Sequence, residues 1–332
     1  MDSLTQIVLG AAVGEVVLGR KTGNKAMLYG AIAGTIPDLD VLSAYFLDTS
    51  RSLEFHRGFT HSIVFSALFA PIFGWLVSRY EKHKSLKDWS WLFFWGFVTH
   101  PLLDAYTTWG TQLFWPFDVR LAFKTIFVVD PLYTLPFLIC VIMAMIYKRS
   151  NPKRRKWNLW GISLSSGYLM LTVILKGYTY LQFKEALESQ TINYRDMNTR
   201  PAAFNAILWN TNIDTGDAYL LADYSLLDSQ PISFQAYEKN HHLLGDLKDN
   251  EQIQRMIHIS KGWYIITQEN GSLYFNDLRF GLLTTQPGST DFVFKYEIKQ
   301  DAQGLVTLHE VKKDPRNALK MLGELWERIK GN

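Results

Sequence analysis

The chain has 332 residues, with 34 Lys and Arg, 31 Asp and Glu, and a single cysteine. One cysteine excludes a disulfide scaffold, and 14% aromatic residues with 11 prolines exclude a disordered or collagen-like chain. The mean hydropathy of −0.04 is that of a soluble protein, but it averages two unlike parts. Residues 1–181 carry a formal charge of +7 and contain the long apolar runs, whereas residues 182–332 carry −4. The acidic second part argues against a nucleic-acid-binding protein.

Two short, glycine-rich apolar segments come first in the chain, Leu4–Leu18 and Ala26–Ile36. They are interpreted as short tilted helices or as a re-entrant hairpin shielded by protein, with small residues that permit close packing. A helix needs about 17–25 residues to cross a hydrocarbon core. Four later segments reach or approach that length: His61–Ser78, Trp89–Trp109, Thr125–Tyr147 and Trp157–Tyr180. Residues 1–181 are therefore predicted to form an α-helical polytopic membrane domain.

Basic residues are concentrated in three short loops of this domain. Loops rich in Lys and Arg remain in the cytoplasm, so all three loops are expected on that side. The acidic residues of the motifs described below, and the histidines among them, then lie on the outer side, as does everything after Leu181. The basic residues of the three loops are Arg20, Lys21 and Lys25; Arg79, Lys82, Lys84 and Lys87; and Lys148, Arg149, Lys153, Arg154, Arg155 and Lys156.

The second part is predicted to be a small β-rich domain over residues 200–332, joined to the first by a linker over residues 182–199. Asn270-Gly271 predicts a hairpin turn, so an antiparallel arrangement is expected. Apolar residues at helical spacing after Pro315 predict an amphipathic terminal helix, Asn317–Ile329. Runs of β-branched and aromatic residues predict strands at Phe204–Trp209, Ala218–Leu226, Trp263–Thr267, Ser272–Phe275, Phe292–Ile298 and Leu305–Val311.

The strongest local signal for chemistry is His100-Pro101-Leu102-Leu103-Asp104. Positions i and i+4 share one face of a helix, so the imidazole and the carboxylate can bind one metal ion. Pro101 requires that this stretch begin a helix or kink it. In the alternative interpretation, both groups cap or bond neighbouring helices.

Two further motifs lie on the predicted outer side. Asp38 and Asp40 follow an apolar segment, where a loop can direct both carboxylates toward one site; a solvated turn is the alternative. The segment His56-Arg57-Gly58-Phe59-Thr60-His61-Ser62 precedes a predicted span, and an interfacial anchor is its alternative interpretation. Arg57 suits a phosphate or carboxylate, because its planar guanidinium can bond two oxygens at once.

Combined, the three motifs place six imidazole and carboxylate side chains on one side of the predicted topology. Such ligands favour Zn, Mn or Fe over Ca, and six of them suffice for one or two divalent ions, with zinc expected first. A carboxylate that is not a ligand, with Asp38 as the first candidate, can act as general base, and Arg57 can stabilise a developing oxyanion. Asp2 and Asp130 are weaker candidates. The predicted metal ligands are Asp38, Asp40, His56, His61, His100 and Asp104.

These motifs resemble those of a bacterial family of membrane-bound metal-dependent hydrolases, also described as LexA-binding, inner membrane-associated hydrolases. The resemblance covers roughly residues 1–180 and implies an integral inner-membrane protein with metal bound at the six predicted ligands. Many members have His where this chain has Gln6, so a ligand from the first helix is either absent or replaced by Asp2. Besides the three motifs above, the resemblance rests on Met1-Asp2-Ser3-Leu4-Thr5-Gln6, Thr108-Trp109-Gly110-Thr111-Gln112 and Trp115-Pro116-Phe117.

The resulting hypothesis is a multi-pass enzyme of the inner membrane that hydrolyses a lipid-linked ester at the outer face, with its C-terminal domain outside the cytoplasm. A similarity in ligand layout to zinc-dependent phospholipase C favours a phosphoester. Membrane lipid and a lipid-linked substrate are the expected partners, without nucleic acid. Two alternatives stay open: a non-catalytic module that binds a lipid or protein partner, and a transporter, because buried acids and histidines can also relay protons.

Overall fold

The computed structural model describes residues 1–284, 286, 288–301, 303–313 and 318–332. The chain forms two compact units. The first is helical, and the second contains antiparallel β-sheets, which confirms the predicted order of a helical part followed by a β part. The first unit comprises Met1–Leu42, Phe55–Ile174 and Ala203–Asn205, and the second comprises Ser43–Glu54, Leu175–Ala202 and Ala206–Asn332.

The first unit is built from apolar helices joined by short loops. Among the described residues, α1, α4 and α7 are long and apolar enough to cross a membrane, and α6 is a shorter apolar helix. Two 3₁₀ helices, Pro37–Tyr45 and Phe59–His61, carry polar motifs. The helices are α1 (Ser3–Thr22), α2 (Asn24–Thr35), α3 (Thr49–Phe55), α4 (Ile63–Tyr80), α5 (Leu86–Asp104), α6 (Pro131–Ile146) and α7 (Pro152–Ser189).

Helices α1 and α2 form a closely packed hairpin. A Cβ atom added to Gly10 would lie 2.2 Å from the carbonyl oxygen of Gly30, so the two backbones can approach this closely only because both positions lack side chains. Helix α1 is longer than the predicted segment Leu4–Leu18, because Arg20 and Lys21 extend its last turn, where cations interact favourably with the helix dipole.

The second unit contains two four-stranded antiparallel sheets in which sequential strands are neighbours. The predicted turn at Asn270-Gly271 joins β5 to β6, and both residues have positive φ, 50° and 84°. The first sheet is β1 (Asp196–Pro201), β2 (Leu208–Asp214), β3 (Ala218–Ser225) and β4 (Gln235–Glu238), and the second is β5 (Tyr264–Glu269), β6 (Ser272–Leu282), β7 (Phe292–Gln300) and β8 (Val306–Glu310).

Several boundaries in the second unit differ from the sequence-based prediction. The segment interpreted as a linker, residues 182–199, is largely regular: α7 continues to Ser189 because Phe183 and Leu187 are buried in a core with Trp209, and β1 begins at Asp196. The strand predicted at Phe204–Trp209 lies instead at Leu208–Asp214, since Phe204 has a φ of 64° that no strand accommodates.

Helical elements complete the second unit. A 3₁₀ helix, His241–Asp249, and α8 (Glu251–Ile259) were not predicted, whereas α9 (Ala318–Ile329) confirms the terminal helix. Pro315 and Asn317 lie outside the described residues.

Helix α3 lies in the chain between the motif of Asp38 and Asp40 and the segment that begins at His56. It packs within the second unit. Leu53 lies against the apolar core of the second sheet, and Thr49 Oγ1 donates a 2.7 Å hydrogen bond to the carbonyl oxygen of Leu308. Arg255 Nε lies 2.9 Å from Glu54 Oε2. The segment between Asp40 and His56 is therefore anchored in the β part of the protein.

Candidate metal centre

Four ligand-type side chains converge where three elements of the first unit begin or end. The 3₁₀ helix after α2 carries Asp38, the 3₁₀ helix before α4 ends at His61, and the last turn of α5 carries His100 and Asp104. Pro101 lies within α5, and the helix continues to Asp104, so the predicted i, i+4 pair shares one helical face. His61, His100 and Asp104 are fully buried.

The donor atoms of these four residues all lie within 4.8 Å of one another. The two imidazole Nε2 atoms of His61 and His100 are 3.1 Å apart, and Asp38 Oδ1 lies 3.3 and 3.4 Å from them. Asp104 Oδ2 lies 3.5 Å from the Nε2 of His61 and 3.7 Å from that of His100. Ligands at about 2.0–2.2 Å from a tetrahedral zinc ion are about 3.3–3.6 Å apart. The distances that involve the two imidazoles thus fit one ion of that size.

Acceptors beside the far ring nitrogens direct the two imidazoles toward this point. His100 Nδ1 lies 2.7 Å from the carbonyl oxygen of Gly34, which can only accept, so Nδ1 carries the proton and Nε2 presents its lone pair to the cluster. His61 Nδ1 lies 3.3 Å from Asp40 Oδ2. A partner on the far ring nitrogen is the usual support of a metal-binding histidine.

The remaining predicted ligands, Asp40 and His56, pair with each other beside the four-residue cluster. His56 Nδ1 lies 2.8 Å from Asp40 Oδ1, and the other carboxylate oxygen accepts from the backbone N–H of Arg57 at 2.8 Å and from Thr60 Oγ1 at 2.9 Å. Asp40 therefore organises the turn that carries His61. Direct ligation by Asp40 or His56 stays a prediction.

Arg57 contacts the cluster from its other side. Its side chain is buried, with Nε 3.0 Å from Asp104 Oδ2 and one terminal nitrogen donating to Thr107 Oγ1 at 3.0 Å. Arg57 and Asp104 thus form a buried ion pair. A role for Arg57 in stabilising an oxyanion stays a prediction, and its observed partner is Asp104.

The electrostatic balance keeps the carboxylates ionised. Burial acts to raise the pKa of Asp38, but the polar contacts with His100 and His61 outweigh it and hold that pKa below its ordinary value. Burial opposes ionisation of Asp40 in the same way, and bonds from His56 and His61 again lower the pKa. Burial also acts to lower the pKa of His61, yet Asp104, Asp38 and Asp40 raise it to about 9. A metal ion would therefore compete with a proton at His61.

Two residues of the first helix region complete the surroundings of Asp104. The Met1 amino group forms a buried ion pair with Asp104 Oδ1, and Gln6 Nε2 donates to the same oxygen at 2.9 Å. The difference between Gln6 and the His of many family members was the sequence signal for this contact; nothing in the sequence indicated Met1 or Thr107. Gln6 therefore supports a candidate ligand.

Asp2 and Asp130, the two weaker candidate ligands, serve as helix caps. Asp2 accepts from the backbone N–H of Thr5 at the start of α1. Asp130 caps α6 through the backbone N–H groups of Leu132 and Tyr133, and its second oxygen accepts from Tyr168 at 2.9 Å. These contacts account for both carboxylates without a metal ion.

The basic loops meet at the opposite ends of the same helices. Lys21 Nζ lies 2.6 Å from Asp88 Oδ2, and Arg149 donates to the backbone carbonyl of Lys21 at 2.6 Å. Helix α1 begins beside the cluster and ends in this basic region about 30 Å away, at 1.5 Å per residue. The separation of basic loops from candidate ligands, predicted from charge alone, is thus present in the first unit.

Similarity to known proteins lies in the helical part of the chain. The model of the YdjM inner membrane protein family matches residues 1–179, which contain all of the candidate metal centre. The chain belongs to the YdjM inner membrane protein family. This membership supports placement in an inner membrane, as the resemblance of the motifs implied.

One relative of this YdjM family member is the inner membrane protein YbcI of Escherichia coli (strain K12). The two are 33% identical over 99 residues, which are 30% of this chain and 57% of the relative's length. No solved structure shows a significant match to the chain.

Proposed function

We propose that this protein is a membrane-bound, metal-dependent hydrolase that acts on a lipid-linked ester, specifically a phosphoester, at the outer face of the inner membrane. The spacing of the four donor atoms of Asp38, His61, His100 and Asp104 carries the proposal. The proposed metal is a single zinc ion, which His61, His100 and Asp104 would hold, since their donor atoms lie 3.1, 3.5 and 3.7 Å apart. When bound, such an ion supplies a Lewis acid that makes water nucleophilic near neutral pH.

The surrounding residues have distinct proposed roles. Asp38 is the cluster member whose side chain is partly exposed, 23%, so water and substrate would enter on its side, where its carboxylate can also accept a proton. Arg57 and the Met1 amino group neutralise Asp104 and add positive charge beside the site. That charge favours an anionic ester over a neutral one.

A structural metal site is the second candidate, and one observation favours it. Asp38 lies close enough to the other three residues to be a fourth ligand. Four protein ligands are typical of zinc sites that stabilise a fold, whereas catalytic zinc sites usually have three. In that case the ion would hold the 3₁₀ helices against α5, and the protein would be a binding module. The two candidates differ in whether the zinc-loaded protein hydrolyses a lipid.

Metal analysis of the purified protein tests the proposal directly. Elemental analysis in detergent is expected to give about one zinc per chain in the wild type and a loss of most of it in His61→Ala and in His100→Ala/Asp104→Ala. His83→Ala is the matched control, because His83 binds Asp88 in the basic loop between α4 and α5. Unchanged stoichiometric zinc in the double variant would contradict the assignment.

Activity requires a separate assay. Phosphate or headgroup release from vesicles that contain phosphatidic acid, phosphatidylglycerol or an isoprenoid diphosphate is expected with the zinc-loaded wild type and not with His61→Ala. Zinc binding without hydrolysis of any of these lipids would favour the structural site.

The outer-face placement is tested by fusions at the C-terminus. A periplasmic phosphatase reporter is expected to be active there and a fluorescent cytoplasmic reporter inactive, because the three basic loops favour the cytoplasm. The reverse result would place the metal centre on the cytoplasmic side and remove the argument for an outer-leaflet lipid.

A further inference from the structure

A loop beside the candidate metal centre exposes an unusual number of apolar side chains. Residues 114–119, Phe-Trp-Pro-Phe-Asp-Val, are all exposed, with Phe117 at 71% and Phe114 at 50%. Paired backbone hydrogen bonds of 2.8 and 2.9 Å between Thr111 and Leu121 close the loop at its base. We name residues 111–121 the apolar hairpin. Soluble monomeric proteins rarely expose such a contiguous apolar patch, and a patch of this kind usually marks a surface that contacts a partner or a membrane.

The base of the apolar hairpin is bonded to the turn that carries the metal-site residues. The backbone N–H of Gln112 donates to the carbonyl oxygen of Arg57 at 3.0 Å. The guanidinium of Arg120 donates to the carbonyl oxygen of His56 at 3.3 Å. Because Arg57 Nε lies 3.0 Å from Asp104, the position of the hairpin is fixed relative to the candidate ligands.

The apolar surface of the hairpin is continuous with that of a candidate membrane span. The backbone N–H of Ile63, the first residue of α4, donates to the carbonyl oxygen of Leu113 at 3.1 Å. Trp115 packs on Phe59 with ring centroids 4.9 Å apart, and Phe59 packs in turn on Phe65 of α4 at 5.6 Å. Exposed apolar side chains then continue along α4, as at Leu68. Lipid covering α4 would therefore extend onto the hairpin.

The composition of the hairpin tip suits the interfacial layer of a bilayer. Tryptophan is enriched at the boundary between headgroups and hydrocarbon, where its ring is partly solvated. Asp118 is the charged residue within 114–119, and its carboxylate accepts from Gln112 Nε2 at 3.3 Å. A carboxylate at the tip is compatible with the headgroup layer and costly in the hydrocarbon core.

We propose that the apolar hairpin inserts into the headgroup and upper acyl layer of the membrane and holds the candidate metal centre against lipid headgroups. Bilayer lipid then covers the exposed apolar side chains of the hairpin. The insertion is independent of any hydrolytic activity. Its consequence for the reaction, lateral entry of a membrane lipid instead of a water-soluble ester, rests on the proposed function.

A fluorophore on the hairpin tests the insertion. Phe117→Cys, made in a Cys140→Ala background and labelled with an environment-sensitive dye, is reconstituted in nanodiscs of phosphatidylcholine and phosphatidylglycerol. Lipids with a nitroxide near the carbonyl end of the acyl chain are expected to quench about half of the emission, and aqueous iodide very little. Leu68→Cys in α4 is the lipid-facing control, and Lys82→Cys in the basic loop is the aqueous control.

Two outcomes would overturn the insertion. Iodide quenching equal to that of Lys82→Cys would show that the hairpin lies in water. Shielding from both iodide and nitroxide lipid would show a protein contact, such as a second copy of the chain. Phe114→Cys provides the same measurement at a second position. Lipid quenching in a protein that hydrolyses none of the lipids offered would retain the insertion and refute only the proposed function.

Discussion

Asp104 is the most heavily supported residue of the candidate metal centre. One carboxylate oxygen accepts from Gln6 and pairs with the Met1 amino group, while the other lies near Arg57 and both imidazoles. Three carboxylates surround the site, those of Asp38, Asp40 and Asp104. They outnumber the two neighbouring cations that are not candidate ligands, the Arg57 guanidinium and the Met1 amino group. This balance leaves negative charge for a divalent ion, and the buried setting strengthens the attraction.

At the residue scale, Asp40→Asn tests the support of His61. The amide keeps the size of the side chain but removes the charge that faces His56 and His61, so the imidazole of His61 loses its orienting partner. A fall in zinc affinity of about 10–100-fold is expected in competition titrations with a chelator. Asp88→Asn, in the first turn of α5, is the control and should leave the affinity unchanged. Equal affinity in both variants would show that Asp40 is dispensable for the site.

At the scale of elements, the hairpin of α1 and α2 depends on glycines in contact. Gly10→Ala would place a methyl group 2.2 Å from the carbonyl oxygen of Gly30, so the helices would have to separate. A loss of about 1–3 kcal/mol in the free energy of unfolding is expected, measured by denaturant titration in detergent micelles. Gly167→Ala in α7 is the control, since a Cβ there meets no atom within 4 Å. A Gly10→Ala variant as stable as the control would contradict the close approach of the helices.

A buried ion pair joins α1 to α7 near the basic end. Arg154 Nε donates to Glu15 Oε1 at 2.7 Å, and another guanidinium nitrogen donates to Asn24 Oδ1 at 2.5 Å. Arg154 is thus the partner of Glu15, and the nearby Lys25 pairs with Glu81. The paired intramembrane acid weakens the transporter alternative, because a fixed ion pair is a poor proton relay.

Glu15→Gln tests this pair. It leaves the buried guanidinium without its counter-charge, so a loss of about 3–5 kcal/mol in unfolding free energy is expected in micelles. Glu188→Gln breaks the exposed pair between Lys184 and Glu188 in the same helix α7 and should change stability by less than about 0.5 kcal/mol. Similar small effects of the two substitutions would show that the pair at Glu15 is solvated.

At the scale of the whole molecule, the chain between Asp40 and His56 leaves one compact unit and packs in the other. Residues Ser43–Glu54 belong to the second unit, where Leu53 contributes to the core of the second sheet. Since the two ends of this segment carry Asp38–Asp40 and His56–His61, its anchoring restrains how far those polar motifs can separate. We therefore expect the packing of this segment to affect the assembly of the candidate ligands.

Leu53→Ala tests this coupling. The substitution is expected to weaken zinc binding by roughly tenfold, because a freer segment makes assembly of the ligands entropically more costly. Leu243→Ala is the matched control, since Leu243 packs on the same core but lies outside the segment. Competition titrations compare the two; equal affinities would show that the metal centre is independent of α3.

Much of the fold was predictable because it follows from local patterns. Apolar runs indicated the helices, Asn270-Gly271 indicated the β5–β6 turn, and the i, i+4 spacing placed His100 and Asp104 on one helical face. Strands such as β1 escaped prediction because their polar residues, for example Asn198 and Thr199, show no apolar alternation although they are buried.

The sequence by itself determined the helical and β parts, the separation of the basic loops from the candidate ligands, and the identity of those candidates, because charge and hydropathy act locally. Only the tertiary structure decided how those ligands are arranged: Asp38, His61, His100 and Asp104 converge, while Asp40 and His56 pair beside them. Distances of 3.1–3.7 Å between donors from three elements depend on helix packing and on the positions of 3₁₀ turns. Those are set by contacts between residues distant in the chain, which no local pattern encodes.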